Sequence, residues 1–182
     1  MLQGLRIPGK TVPTARDVYR EVIGRKVQWL IPQRKYQKGK DRPGVLVCPQ
    51  CHAISTQKRW FLDEACYERL RNAPGVRLVT CPGCQRVERQ IYEGDVRLQS
   101  PILLKNKVQA LAIIHHEEDK ARQTNPISRL ASVEDRGDEI VVLTTTRWLG
   151  ERIGKAFHKA FKGTLDLQHM PYEKFVRVRW RR

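Results

Sequence analysis

The stretches Val47-Cys48-Pro49-Gln50-Cys51-His52 and Thr80-Cys81-Pro82-Gly83-Cys84-Gln85 decide the fold of the region around them. Each carries a Cys-Pro-x-Cys pair, and proline and glycine favour the tight turn that lets backbone amides point at sulfur atoms. Two such pairs bring four thiolates together, which is a usual ligand set of a closed, tetrahedral structural zinc site. The sequence therefore predicts a zinc ribbon with the ligands Cys48, Cys51, Cys81 and Cys84.

The chain between the two pairs is longer than in a minimal ribbon. It has 29 residues, against roughly 15 to 20 in the minimal pattern, and a helix over residues 62–71 is the expected insert. An iron-sulfur cluster and a thioredoxin-like redox pair are the alternatives to zinc, although the redox pair needs only one Cys-x-x-Cys beside a βαβ unit. His52 could replace one cysteine as a ligand. Cys66, within the predicted helix, is expected to be a half-buried apolar residue.

The composition of the 182 residues limits the class of protein. Lys and Arg number 35 against 19 Asp and Glu, so the formal net charge is +16. The longest apolar run covers residues 110–114, far below the roughly 20 residues that span a bilayer. The first ten residues hold no apolar segment typical of a secretory signal, and an odd number of cysteines fits a reducing compartment. We therefore expect a cytoplasmic protein without a membrane partner.

The positive charge is concentrated at the two ends of the chain. Residues 1–45 carry a net charge of +8 and residues 140–182 carry +7, while the middle is close to neutral. Such clustering of like charges indicates contact with a polyanion, because an anionic partner relieves their mutual repulsion. The alternative is a merely basic protein whose charge serves solubility.

Residues 1–44 are predicted to form a basic arm ahead of the metal module. Residues 14–27 begin with a Thr-x-x-acid pattern and could form one short helix. Residues 32–44 lack apolar periodicity and are interrupted by proline, which indicates an extended linker. An aromatic residue among basic ones is typical of an arm that orders on RNA and stacks on a base, although a tail without a partner fits the same pattern. The candidate contacts are Arg34, Lys35, Tyr36, Lys38, Lys40 and Arg42.

Further along the chain, apolar spacing predicts a strand over residues 86–92 and a helix over residues 102–123. The helix is expected to bury one stripe, and acidic residues lie on its later turns. The stripe comprises Leu104, Val108, Leu111 and His115.

The last segment predicts a small α+β body. Residues 130–133 and 140–146 flank a polar turn and indicate a hairpin. Residues 146–162 have the periodicity of an amphipathic helix and end before a glycine, and residues 164–168 and 175–180 indicate a second hairpin. The order α-β-β-α-β-β predicts an antiparallel sandwich with helices on one face of the sheet.

Two basic stripes follow from the periodicity of this segment. On the helix, basic residues recur at intervals of three and four opposite the apolar face, although an ordinary solvated face is the alternative. In the last strand, arginines alternate with Val176, Val178 and Trp180, so they share the outer sheet face. Arginine binds phosphate through bidentate contacts and stacks on exposed bases. The stripes comprise Arg152, Lys155, Lys159 and Lys162 on the helix, and Arg177, Arg179 and Arg181 on the strand.

The sequence carries no motif that indicates catalysis. A glycine-rich dinucleotide loop, a phosphate-loop lysine and a Ser-His-Asp order are all missing. His115 and Glu118 share a helical face as di-metal ligands can, but a four-helix carboxylate site needs more such helices than the sequence predicts. We therefore expect no enzyme and no small-molecule substrate.

Several stretches together resemble a bacterial zinc-ribbon family. They are the two Cys-Pro-x-Cys pairs, Gln57-Lys58-Arg59-Trp60-Phe61, Asn125-Pro126-Ile127-Ser128-Arg129-Leu130, residues 144–163, and Phe175-Val176-Arg177-Val178-Arg179-Trp180. That family is similar to the zinc-binding and following α+β part of the eukaryotic and archaeal large-ribosomal-subunit nuclear export adaptor. The resemblance covers residues 45–182 and implies a ribosome-associated or ribosomal-RNA-binding protein, with the same four cysteines as zinc ligands.

Charge, metal ligands and resemblance together predict a non-catalytic, zinc-stabilised protein that binds RNA. Its expected target is ribosomal RNA on a subunit or whole ribosome, a surface large enough to engage both basic ends. The predicted units are the basic arm over residues 1–44, a zinc ribbon with a helical insert over residues 45–98, and an α+β RNA-binding body over residues 99–182. A DNA-binding or transcription-associated zinc ribbon and a protein-protein adaptor are the alternative functions.

Overall fold

The computed structural model describes residues 44–56, 59–170 and 173–182. Several predicted features lie outside the described residues. They are the possible helix over residues 14–27, the arm contacts Arg34, Lys35, Tyr36, Lys38, Lys40 and Arg42, and Gln57 and Lys58 of the family resemblance. These features stay predictions.

The described residues form a mixed α+β structure with four helices and two sheets. The first part of the chain contributes β1 (Leu46–Val47), β2 (Ala53–Thr56), β3 (Arg59–Leu62), α1 (Glu64–Leu70), β4 (Arg77–Leu78) and α2 (Pro82–Glu88). The rest contributes β5 (Gly94–Gln99), α3 (Ile102–Thr124), β6 (Leu130–Asp135), β7 (Glu139–Thr144), α4 (Arg147–Phe161), β8 (Thr164–His169) and β9 (Val176–Arg181). A small sheet has the order β3-β2-β1-β4, and a large sheet has the order β6-β7-β5-β9-β8.

Helix α1 packs against the small sheet and closes a separate core. Its N-terminus is capped by Asp63, whose Oδ1 accepts a hydrogen bond from the backbone N–H of Cys66 at 2.9 Å. Val47, Ile54 and Leu70 are fully buried in this core. The helix predicted over residues 62–71 is confirmed, and Cys66 is fully rather than half buried.

Helix α4 packs on one face of the large sheet. Its apolar side chains Ile153 and Phe157 are fully buried against Val178 and Trp180 of β9. Helix and strand approach closely at Gly154, where an added Cβ would collide with the side chain of Val178. The amphipathic helix predicted over residues 146–162 is therefore confirmed, and so is the inward face of the last strand.

The ends of α4 and both predicted hairpins also agree with the sequence. Thr146 is the residue before the helix, and Gly163 follows its C-terminus with φ of +88°, a conformation that glycine adopts without strain. Strands β6 and β7 pair antiparallel, as do β8 and β9. The elements after β5 therefore follow the predicted order of helices and strands.

Strand β5 is the main departure from the predicted sandwich. It lies in the centre of the large sheet, antiparallel to β7 and parallel to β9. The sheet is therefore mixed rather than antiparallel, and the predicted boundary between residues 98 and 99 falls inside a strand. The alternation of a single strand shows which face is buried, but it does not show which distant strand will be the partner.

The predicted strand over residues 86–92 is wrong. Pro82–Glu88 form helix α2, because the sulfur of Cys81 accepts the backbone N–H of Cys84 at 3.4 Å and Pro82 occupies the first turn. Ile91 and Tyr92, which suggested a strand, are 45% and 42% exposed after the helix. Capping by the cysteine thus prevails over the local strand pattern.

Helix α3 is confirmed, but its predicted buried stripe is wrong at three of its four residues, and the fourth, Leu111, is partly buried against the core. Leu104 and Val108 are 60% and 85% exposed, and His115 is exposed as well. The prediction failed for two reasons. Asn106 has non-helical backbone angles, which shift the helical spacing after the first turn. Two of the buried positions are alanines, whose low hydrophobicity gives little signal in the sequence. The buried row consists of Leu103, Ala110, Ile114 and Ala121.

Within the described ranges, no helix combines the length and the apolar composition needed to cross a bilayer.

Candidate metal centre and nucleic-acid interface

Four cysteines from two segments meet beside the small sheet. Cys48 follows β1 and Cys51 lies on the turn after it, while Cys81 caps α2 and Cys84 lies in its first turn. The four sulfur atoms all lie within 4.8 Å of one another. Cys48 and Cys81 are buried, whereas Cys51 and Cys84 are half-buried. The arrangement could hold a metal ion.

The distances between the sulfur atoms show whether a tetrahedrally coordinated metal ion fits between them. Cys51 Sγ lies 3.4 Å from Cys81 Sγ, and Cys48 Sγ lies 3.8 Å from Cys84 Sγ. A metal–sulfur distance of about 2.3 Å gives sulfur–sulfur edges of about 3.8 Å in a tetrahedron. The residues present therefore fit a four-thiolate site, and a small adjustment of Cys51 and Cys81 completes it.

Backbone amides also point at the sulfurs, as the Cys-Pro-x-Cys turns predict. The N–H of Cys81 donates to Cys48 Sγ at 3.3 Å, and the N–H of Cys84 donates to Cys81 Sγ at 3.4 Å. The N–H of His52 closes the first turn on the carbonyl of Cys48 at 3.0 Å. Because these donors favour thiolate over thiol, the backbone prepares the sulfurs for a cation.

Hydrogen bonding and burial shift the pKa values of Cys51, Cys81 and Cys84 at this site. A hydrogen bond between Cys51 and Cys81 lowers the pKa of Cys81 to about 4 and raises the pKa of Cys51. Burial raises the pKa of Cys84 to about 12. Without a cation, Cys81 therefore favours the thiolate, whereas Cys51 and Cys84 favour the thiol. A bound divalent cation would supply the charge that keeps all four deprotonated.

Arg129 adds a positive charge next to the sulfurs. Its Nη2 donates to Cys84 Sγ at 3.5 Å, and its Nε donates to the Pro126 carbonyl at 3.2 Å. Burial lowers the pKa of Arg129, but the neighbouring acidic groups, Cys51, Cys84, Cys81 and Glu118, together raise it by more, so the guanidinium stays charged. The sequence pattern predicted no role for Arg129 at the metal centre, because only its place in the stretch Asn125 to Leu130 of the family resemblance had drawn attention to it.

His52 stands outside the group of four cysteines. Its Nδ1 lies 2.7 Å from Glu64 Oε1, and its ring stacks on Tyr67 with centroids 3.9 Å apart. These contacts attach the first turn to α1 and give the imidazole a structural role. The four cysteines alone form the metal-ligand group within the described residues.

The arginine stripe of β9 lies on the outer face of the large sheet, as its alternation predicts. Val176, Val178 and Trp180 are fully buried on the opposite face. Arg177 and Arg181 are exposed, while Arg179 is partly buried and its Nη1 lies 3.4 Å from Asp95 Oδ2. The predicted residues Arg177, Arg179 and Arg181 therefore share one surface.

Strand β5 contributes to this surface an arginine that the sequence analysis did not include. Arg97 lies in register with Arg179, and Gln99 lies in register with Arg181. A shallow groove of about 220 Å³ runs over these side chains, and a second groove of about 310 Å³ continues between Arg179, Arg181 and the polar residues of β8. The alternation of Arg97 with Val96 and Leu98 could have revealed it, had β5 been assigned to this sheet.

The helix stripe is partly neutralised within the chain. The guanidinium of Arg152 donates twice to Glu117 Oε2, at 3.0 and 2.9 Å, and Lys155 Nζ lies 3.5 Å from Glu151 Oε2. Lys159 and Lys162 are exposed. All four predicted contacts of α4 are exposed, and two of them, Arg152 and Lys155, are also paired with glutamates of the same chain.

An exposed aromatic lies at the start of α4. Trp148 is 59% exposed, and the guanidinium of Arg147 stacks 4.6 Å from its ring centroid. A tryptophan with one free face is suited to stacking on an unpaired base. The sequence pattern did not identify Trp148 as exposed, because Trp148 is next to Leu149 on the apolar side of the predicted helix.

The residues considered for di-metal chemistry make ordinary structural contacts. Glu118 Oε1 accepts the backbone N–H of Leu130 at 2.9 Å, and Glu117 pairs with Arg152. His115 Nδ1 lies 4.0 Å from Glu118 Oε2, one turn away on the same helix. Both glutamates therefore have protein partners in this structure.

Comparison with known proteins leaves the family open. No family model, curated protein or solved structure matches the chain. The resemblance to a bacterial zinc-ribbon family therefore stays a prediction from the residues quoted for it.

Proposed function

We propose that this protein is a non-catalytic RNA-binding protein, stabilised by a structural zinc ion and associated with ribosomal RNA on a ribosomal particle. The observation that carries the proposal is the outer face of the large sheet. There Arg97, Arg177, Arg179 and Arg181 project from two adjacent strands. Phosphates on an extended strand of RNA would neutralise these charges and supply most of the binding free energy.

The four cysteines support zinc as the ion. Four sulfur ligands from the protein close the coordination sphere, so no position is open for a substrate. Such a site stabilises a fold, and this agrees with its place beside a small sheet that has a small core of its own. In this proposal the small sheet, α2 and the metal form the zinc ribbon.

The shape of the arginine surface favours single-stranded or looped RNA over duplex DNA. An open sheet with shallow grooves offers no helix to enter a major groove, whereas unpaired bases can stack on exposed arginine side chains such as Arg177 and Arg181. The preference follows from the geometry of the described surface. Duplex DNA is therefore the competitor to be measured.

Sedimentation of the tagged protein from a native lysate tests this function. At about physiological salt we expect it to migrate with a ribosomal subunit or whole ribosome, and to return to the top of the gradient after nuclease treatment or at high salt. A protein that stays at the top under every condition contradicts the ribosomal assignment. Equal-salt titrations with structured RNA and duplex DNA then distinguish the two nucleic acids.

A protein-protein adaptor is the second candidate, and the exposed row on α3 favours it. Leu104 and Val108 are 60% and 85% exposed, and apolar side chains of this kind are commonly buried by a partner protein. A complex held by them would survive nuclease and high salt, because apolar contacts are not screened. Val108→Glu should dissolve such a complex and leave RNA affinity unchanged.

A further inference from the structure

The guanidinium of Arg129 is a hydrogen-bond donor to the four-cysteine centre from outside the ligand set. Its Nη2 lies 3.5 Å from Cys84 Sγ. Arg129 belongs to the segment before β6, so the contact joins the large sheet to helix α2. None of the four cysteines shares its chain segment.

The backbone around Arg129 is held rigidly. Its N–H donates to Thr145 Oγ1 at 2.8 Å, and its carbonyl accepts the N–H of Thr145 at 2.9 Å. The same Thr145 hydroxyl donates to the Ile127 carbonyl at 2.6 Å. With Nε bound to the Pro126 carbonyl, the guanidinium is oriented before any ion binds, so little side-chain entropy opposes the contact.

The net charge of a centre with its metal ion bound explains why a positively charged side chain is favourable beside it. Four thiolates around one divalent cation carry two net negative charges, and Cys48 and Cys81 hold them in a buried position. A partly buried guanidinium is attracted more strongly than one in water, because the surroundings screen less. Partners outside the ligand shell commonly change metal affinity by about 10- to 100-fold.

We propose that Arg129 is a positioning residue of the metal centre, an outer cation that slows the loss of a bound divalent metal ion. The proposal rests on the metal-binding role proposed above. Its effect is carried by charge and by the fixed orientation of the guanidinium toward Cys84. Without that charge, nothing beside Cys84 in the described part of the chain offsets the two net negative charges of the loaded, partly buried centre. The loaded centre is then less stable relative to the released ion and the re-protonated thiols.

The test measures metal release from the full chain loaded with Zn²⁺. An excess of a chromogenic chelator is added at constant pH, and the appearance of the coloured complex gives the release rate. We expect Arg129→Leu to release Zn²⁺ about 10- to 100-fold faster than the unchanged chain. Arg136→Leu is the matched control, since it removes one positive charge from the turn between β6 and β7, where Arg136 pairs with Glu134 and Glu139, while keeping every contact of the metal centre.

The two proposals fail in different ways. If the unchanged chain binds no Zn²⁺, the metal-binding role itself is overturned. If it binds Zn²⁺ and a folded Arg129→Leu releases the ion at the rate of Arg136→Leu, only the role of Arg129 is overturned. If Arg129→Leu does not fold, Arg129→Gln takes its place, because glutamine is uncharged but keeps an N–H donor for the Pro126 carbonyl. Its rate of Zn²⁺ release is compared with that of the same control variant.

A conservative variant separates charge from packing. Arg129→Lys keeps the charge but lacks the planar fork that binds Cys84 and the Pro126 carbonyl together. We expect Zn²⁺ release from Arg129→Lys to be slower than from Arg129→Leu. When the chains are loaded with Co²⁺ in place of Zn²⁺, the cobalt-thiolate absorption band of Arg129→Lys should also lie closer to that of the unchanged chain. Release as fast as in Arg129→Leu would overturn the electrostatic role.

Discussion

Arg97 of β5 lies directly opposite Arg179 of β9 in the parallel pair at the centre of the large sheet. The carboxylate of Asp95 lies 3.4 Å from each, through Oδ1 to Arg97 Nε and through Oδ2 to Arg179 Nη1. One negative charge is thus divided between two guanidinium groups, and Asp166 of β8 lies opposite Arg179 on its other side. Like charges opposite each other destabilise a sheet, so an anionic partner would relieve the repulsion.

Removal of charge from this face should weaken RNA binding in a characteristic way. For the double variant Arg97→Gln with Arg181→Gln, we expect lower affinity for structured RNA. The slope of log affinity against log salt concentration should be shallower by about 1.4, because each lost phosphate contact removes about 0.7 from it. Titrations at several salt concentrations measure the slope.

The matched control is Lys159→Gln with Lys162→Gln, which changes the net charge equally on the face of α4. A flatter slope in the control, with an unchanged slope in the sheet variant, would move the interface from the strands to the helix.

Loss of one metal ligand should unfold the small sheet. Cys48→Ser or Cys84→Ser removes a thiolate from a site whose ion contributes on the order of 10 kcal/mol to folding of such modules. We expect the variant to lose its bound metal and the near-UV circular dichroism of the aromatic side chains around α1.

Cys66→Ala serves as the control, because Cys66 belongs to the apolar core and to no ligand group. It should keep the metal stoichiometry of the unchanged chain. A near-UV spectrum that survives complete chelation would show that the small sheet folds without the ion.

Helix α2 docks against the segment before β6 at Gly83. A Cβ added there would lie 2.5 Å from the Pro126 carbonyl oxygen and 3.1 Å from Ile127 Cα, both of them backbone atoms that cannot rotate away. Gly83→Ala should therefore lower the free energy of unfolding by about 1 to 3 kcal/mol, and Gly83→Val by more. Denaturant unfolding measures both, and equal stability of the three proteins would contradict the close contact.

Burial raises the pKa of the Cys66 thiol to about 11. A raised pKa means that the folded state favours the neutral thiol, so the associated stability is complete below the ordinary pKa near 9.0 and is lost as the pH rises toward 11. We expect the unchanged chain to lose stability between pH 9 and 11 relative to Cys66→Ala. Unfolding curves at several pH values within this window measure the difference, and parallel curves would contradict it.

Local patterns in the sequence were sufficient for the features that depend on neighbouring residues. The two Cys-Pro-x-Cys pairs identified the four cysteines whose sulfurs lie within 4.8 Å, because each turn is built from four consecutive residues. Helix α4 and the alternation of Val178 with Arg179 were also predicted correctly. Their periods of 3.6 and two residues report directly which face is buried.

The features that join distant segments were decided only by the tertiary structure. Strand β5 pairs with a strand about eighty residues later, and the contact between Arg129 and Cys84 spans the boundary between the two sheets. The buried face of α3 depended on how closely Ala110 and Ala121 could pack, not on which residues were most apolar. Periodicity reports the burial of a segment, but the choice of partner comes from packing the whole chain at once.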